Sequence, residues 1–244
     1  MINVYWSPWY RQSNLYVDNY LSYPELDSVY LDLVKNKDNS NYVDNFFNCY
    51  AFKSAVKNMY CLRNPYDVDF IYERGECRSK TPPKTGIDLS ITSQIKSPSV
   101  KESSTINYCV NWIFFADKPL QIQTLHPWMH NTEMSKTAYY VPGQYDISSW
   151  FRPVEGAFQL FPGKNTFTSK ENEPLIYVNF LTDEKINLQR FYLTPSLIEH
   201  SISCTHLKHY KKFTALNSLY KTFHKSKLRN RVLTEIKHNL LEEK

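Results

Sequence analysis

Apolar residues that recur at every second position dominate the middle of this chain, and few sequence features limit a fold more tightly. Val68, Phe70 and Tyr72 alternate with Asp67, Asp69, Ile71 and Glu73, and Ile87, Leu89 and Ile91 alternate with Asp88, Ser90 and Thr92. Ile106, Tyr108, Val110, Trp112 and Phe114 alternate with Asn107, Cys109, Asn111 and Ile113, and Leu120, Ile122 and Thr124 continue the pattern. Successive side chains of a strand point to opposite faces, so this period lets a sheet bury one face. Further strands are predicted over 145–150, 157–161, 175–181 and 186–191. Asp117-Lys118-Pro119 carries tight-turn chemistry, while Pro162-Gly163-Lys164-Asn165 and Thr182-Asp183-Glu184-Lys185 read as hairpin turns. Short strands at roughly ten-residue spacing predict a mainly β fold, with a jelly-roll or β-sandwich-like body over 65–194.

The flanks read differently. Residues 1–64 are expected to form a mixed segment packed on the body, with a short helix over 49–60 that places Phe52, Ala55, Val56 and Met59 on one side. The Asn/Asp cluster at 36–41 reads as loop. From Pro195 the apolar residues move to helical spacing: Leu216, Leu219, Tyr220 and Phe223, then Leu228, Val232, Leu233, Ile236 and Leu240. This predicts an α-helical C-terminal extension over 195–244, broken near Lys225-Ser226. An amphipathic stripe needs a covering surface, so the extension should pack on the β body or on another subunit. The whole is expected to be one structural domain.

Charge is segregated along the chain. Residues 197–244 hold ten Lys or Arg against four Glu, whereas the rest of the chain is close to neutral. Two readings follow for this basic tail. Lysines commonly populate the wet face of an amphipathic helix, and a cationic face also suits an acidic partner such as nucleic acid. The residues for such contacts would be Lys208, Lys211, Lys212, Lys221, Lys225, Lys227, Arg229 and Arg231.

Five widely spaced cysteines with no C-x-x-C pair do not resemble a secreted disulfide framework, so a reducing compartment is expected. Neither a signal peptide nor a membrane span is apparent, which predicts a soluble cytoplasmic protein with no membrane partner. Only five glycines are present and no phosphate-cradling glycine loop exists, which removes the two commonest nucleotide-binding motifs.

Several clusters could carry chemistry. His126 and His130, with Glu133 just beyond, offer two imidazoles and a carboxylate, a set that holds Fe(II) or another divalent metal in oxygenases of the jelly-roll type acting with a 2-oxo acid. Pro127 interrupts regular strand pairing between them, and no later strand supplies a third histidine, so the plainer reading is a loop in which Trp128 and Met129 pack. His200, Cys204, His206 and His209 have zinc-ligand chemistry but no familiar structural spacing. Arg152, with Asp146 and Trp150, suits either an anion site or a structural guanidinium stacked on Trp150 or Phe151 and bonded to an acid such as Asp146 or Glu155. No nucleophile-base-acid motif is identifiable.

Four blocks stand out as a series: the helix that contains Cys49, then Asn64-Pro65-Tyr66-Asp67, then Val141-Pro142-Gly143-Gln144-Tyr145-Asp146-Ile147-Ser148-Ser149-Trp150-Phe151-Arg152-Pro153-Val154, then Glu173-Pro174-Leu175-Ile176-Tyr177-Val178. In this order they resemble an uncharacterised protein family of T4-like marine bacteriophages of the cyanophage type, with distant bacterial relatives. The resemblance spans roughly residues 49–191. It implies a β-sandwich, a viral or bacterial origin and no assigned catalytic residues. A location in the host cytoplasm, or association with the virion, would follow from it. The leading expectation is therefore a non-enzymatic binding or structural module without a cofactor, acting through a protein partner or self-association. The alternatives are a mononuclear metal oxygenase and a nucleic-acid-associated protein that binds through its tail.

Overall fold

The computed structural model describes residues 1–9, 23–35, 46–73, 76–79, 94–96, 104–210 and 216–241. Among these, 42% lie in strands and 27% in helices, so the fold is mainly β, with helices gathered at the C-terminal end. The predicted strand at Ile87, Leu89 and Ile91 falls outside the described residues.

The strands form three sheets. The first has the order β14 (Ile186–Arg190), β1 (Ile2–Trp9), β7 (Ser104–Ala116), β11 (Pro153–Leu160) and β9 (Ala138–Tyr140), with β6 (Gln94–Lys96) also paired to β7. The second runs β10 (Gly143–Asp146), β8 (Gln121–Leu125), β13 (Pro174–Phe180), β3 (Met59–Arg63) and β2 (Asp27–Ser28). The third is β12 (Thr166–Ser169), β4 (Val68–Glu73) and β5 (Glu76–Ser79). All pairings are antiparallel except that of β1 with β14, where Ile2 sits opposite Ile186.

One core draws on all three sheets. Val4 and Trp6 of β1, with Val110, Trp112 and Phe114 of β7, share it with Ile122 of β8, Ile176, Val178 and Phe180 of β13, and Phe70 and Phe167 of the small sheet. Each fully buried apolar side chain of this size contributes roughly 1.5–3 kcal/mol. Asn64 ties the sheets together at their edge. Tyr108 donates its hydroxyl to Asn64 Oδ1 at 2.9 Å, and the Asn64 backbone donates to the carbonyl of Glu173 and accepts from Asn172. Two of the sequence blocks therefore meet in space.

The central strand β7 is buried on both faces. Its even-numbered residues enter the shared core, while Ile113 and Phe115 turn outward into a second apolar cluster. That is why the alternation gives way to the continuous run Trp112–Ala116, the mark of a strand covered on each side. The cover comes from α3 (Pro195–Tyr210), α4 (Leu216–Lys225) and α5 (Leu228–His238), through Leu197, Leu219, Phe223, Val232 and Ile236. The helical extension packs in cis, broken where the sequence places the break. Trp9 Nε1 donates to Ser201 Oγ at 2.7 Å, and Leu240 bridges back to Phe191. The outer face of the second sheet is covered likewise by α1 (Val29–Lys35) and α2 (Tyr50–Val56), through Val29, Phe52 and Val56 packed on Met59, Cys61 and Tyr177.

Four sequence expectations need adjustment. The first 64 residues do more than pack on the body, because they supply β1, β2 and β3 to the two larger sheets. The helix predicted over 49–60 stops at Val56 and β3 begins at Met59. The strand predicted over 145–150 stops at Asp146, whose Oδ1 accepts from the backbone N–H groups of Ser148 and Ser149 and turns the chain. The turns at 162–165 and 182–185 form, but neither closes a hairpin. β11 and β12 lie in different sheets, as do β13 and β14.

Candidate functional site

The loop after β8 carries the histidines that the sequence singles out, and the structure sends them in different directions. His126 faces the first sheet. Its Nδ1 accepts the backbone N–H of Tyr140 at 3.2 Å, which leaves the proton on Nε2, 3.4 Å from Ser135 Oγ. His130 faces the second sheet and α1. Its Nε2 lies 2.7 Å from Asp32 Oδ2 and its Nδ1 meets the hydroxyl of Tyr177. A carboxylate accepts only, so Nε2 carries the proton and the phenol donates to Nδ1 when the ring is neutral. Glu133 is turned to solvent and pairs with Lys136 at 2.6 Å. Among the described residues no three His, Cys, Asp or Glu side chains gather where they could hold a metal ion. His126, His130 and Glu133 are not brought together.

The network around His130 is a partly buried ionic arrangement of Asp32, Arg63 and Asp27. Arg63 of β3 reaches Asp32 at 2.7 Å and Asp27 at 3.6 Å. Burial pushes the His130 imidazole below its ordinary value, with help from Arg63 and against the pull of Asp32. Burial alone does the same to His126. It also pushes the phenol of Tyr177 far up, and raises the neighbouring Cys61 thiol to about 12. A phenol and a thiol so shifted stay protonated near neutrality, so neither is an activated nucleophile. What the arrangement does is fasten α1 and the 126–130 loop to the face of the second sheet.

Arg152 stacks on Tyr145, 5.2 Å from the ring centroid, rather than on Trp150 or Phe151. Asp146 is committed to its turn, also accepting the Ser148 hydroxyl at 2.7 Å. Trp150 packs into the helical layer, edge-on to Tyr220 at 5.2 Å. The three residues are therefore neighbours with separate structural tasks.

The cations of the helical layer divide into two kinds. Arg229 is partly buried and points inward, donating from Nε to the carbonyl of Ser148 at 3.0 Å and from Nη2 to those of Asp117 at 2.8 Å and Ala116 at 3.3 Å. Lys221, Lys225, Lys227, Arg231 and Lys237 are exposed. The positions of Lys211 and Lys212 and the side chains of His206, Lys208 and His209 lie outside the described part; Cys204 is buried, and burial pushes its thiol up to about 11.

Between α3 and α5 runs an open trough of about 830 Å³, lined by His200 from α3, by Lys227 at the N-cap of α5 and by Arg231, Thr234, Glu235 and His238 from α5. Glu235 is the single acid among residues 216–241. Both of its oxygens are engaged by hydroxyls at the start of α3, Oε1 by Thr194 and Oε2 by Ser196 at 3.0 Å. Among the described residues no ion pair joins this carboxylate to Arg231 or Lys227. Sequence reasoning found Arg231 and Lys227 but missed His200 and His238 as members of the same wall. The signal available was the stripe Lys227, Arg231, Thr234, His238 at helical spacing.

No protein-family model matches the sequence, and the searches of curated proteins and of solved structures give no match either. No helix among the described residues is long and apolar enough to cross a membrane.

Proposed function

We propose that this chain is a non-enzymatic binding module whose working face is the outer surface of the C-terminal helices and whose ligand is nucleic acid. The body is read as a β-sandwich, because the two larger sheets contribute to one core; the phage-family resemblance would set the module in the cytoplasm of a bacterial host. The observation that carries the reading is the unbalanced charge of the helical layer. Its exposed face bears Lys221, Lys225, Lys227, Arg231 and Lys237, and the one acid of α4 and α5 is held by Thr194 and Ser196. Phosphates neutralised by such a face release counterions, so affinity should be modest and strongly dependent on salt.

A metal oxygenase draws no support from the geometry, since both nitrogens of His126 and both of His130 are spent on different partners. Fluorescence anisotropy with a labelled oligonucleotide at low ionic strength tests the proposal. Binding that weakens steeply as salt is raised supports it; no binding at the lowest workable salt defeats it.

A further inference from the structure

We infer that the trough between α3 and α5 holds the sugar-phosphate backbone of a single strand of nucleic acid, an inference that rests on the reading above and narrows it. The exposed side of α5 presents Lys227, Arg231, Thr234 and His238 as one stripe. Successive members are separated by about one turn of about 5.4 Å, and the stripe spans roughly 16 Å at 1.5 Å per residue. A chain of phosphates laid along the helix meets a donor at each turn. A lone phosphate would use only part of this length, and a trough of about 830 Å³ is far larger than such an ion requires.

The opposite wall restricts what can enter. α3 contributes His200 across from the stripe and Ser196 at its start. Spread along the roughly 16 Å of the stripe, a volume of about 830 Å³ leaves a cross-section of only about 50 Å². The major groove of a duplex alone is about 12 Å wide. A double helix presents a broad convex surface and would ride over both walls, reaching the outer lysines but not the floor. A single strand is slender enough to lie inside. The trough carries a net positive charge suited to an anionic backbone, because Lys227 and Arg231 are opposed by Glu235 alone.

No Trp, Tyr or Phe lines the trough. Bases therefore find no stacking platform there, and recognition runs through the backbone with little sequence preference.

The experiment compares a short labelled oligothymidylate with a duplex of equal length, using the full chain and three variants. K227E and R231E alter the trough; K237E makes the same charge change on α5 outside it. All three residues are exposed, and unchanged thermal unfolding confirms that each variant is folded. The single strand should bind wild type more tightly than the duplex. K227E and R231E should each weaken that affinity by about tenfold or more, with K237E weakening it much less. Equal effects in all three variants, or a duplex bound as tightly as the single strand, would overturn the trough assignment while leaving the polyanion reading intact. Failure of wild type to bind either form would remove both.

Discussion

His130 and Asp32 stand 98 residues apart in the chain and meet at 2.7 Å, imidazole Nε2 to carboxylate Oδ2, joining the loop after β8 to α1. Asp32 also carries Arg63, so its loss would leave the guanidinium with only the longer contact to Asp27 and the imidazole without its carboxylate. Removing one partner of a buried ion pair costs more than removing a surface pair. Asp32→Ala is expected to destabilise the fold by about 3–5 kcal/mol, and His130→Ala, which leaves Asp32 paired with Arg63, by about 1–3 kcal/mol. Urea denaturation measures both; equal and negligible effects would show that the network does not hold α1 in place.

The same imidazole makes stability depend on pH. His126 and His130 both have folded pKa values pushed below the ordinary 6.5. Above about pH 6.5 both histidines are neutral folded or unfolded, and their full contribution is present. As pH falls below that value the unfolded chain takes up protons before the folded one, so stability declines towards pH 5. Unfolding free energies between pH 8 and pH 5 should show this decline, and His126→Gln should make it shallower. Stability that increases on acidification over this window would contradict the assignment.

Arg229 belongs to the fold and not to the ligand face. Its fork of donors serves three carbonyls, at the end of β7 and on the β7–β8 and β10–β11 connections, which a lysine ammonium on a flexible stem does not reproduce. Arg229→Lys is expected to cost about 1–3 kcal/mol, while Lys225→Ala, an exposed change, should stay within about 0.5 kcal/mol. Thermal unfolding of the two variants side by side distinguishes a structural cation from a surface one.

Gly156 lies at the irregularity between β7 and β11, where an added Cβ would sit 3.0 Å from Phe158 Cε2 and 3.2 Å from the Tyr108 carbonyl oxygen. The carbonyl belongs to the central strand and cannot swing away, so Gly156→Ala should cost about 1–3 kcal/mol. A substitution that is neutral in chemical denaturation would mean the bulge has room to shift.

The sequence made the β body and the helical tail legible because each rests on a local period. Trp112, Phe114 and Val110 share the core face that their spacing predicts, and Leu219, Phe223, Val232 and Ile236 form the stripe that covers Phe115. Pairing was less legible. The turns at 162–165 and 182–185 have hairpin chemistry, yet their flanking strands join different sheets, because turn residues fix a reversal and not the partner beyond it. The first strand is less legible, because Ile2–Trp9 is buried almost throughout and Tyr5, Pro8 and Trp9 blur the alternation of Ile2, Val4 and Trp6 with Asn3 and Ser7. At the candidate sites the histidines were visible but their partners were not: Asp32, Arg63 and Tyr177 come from three separate elements, and no spacing rule links them to His130. The charge of the tail was plain in the residues, whereas the inward turn of Arg229 depends on carbonyls more than 80 positions away.

The measurement that bears most directly on the central claim is the salt dependence of oligonucleotide affinity for wild type and for a variant with Lys221, Lys225, Lys227 and Arg231 all changed to Gln. Each phosphate neutralised on a single strand adds about 0.7 to the slope of log K against log salt. A steep wild-type slope that flattens by roughly that amount for each phosphate-binding cation removed, with folding stability unchanged, is the expected result. Identical slopes for the two proteins would contradict the assignment of the helical layer as the binding face.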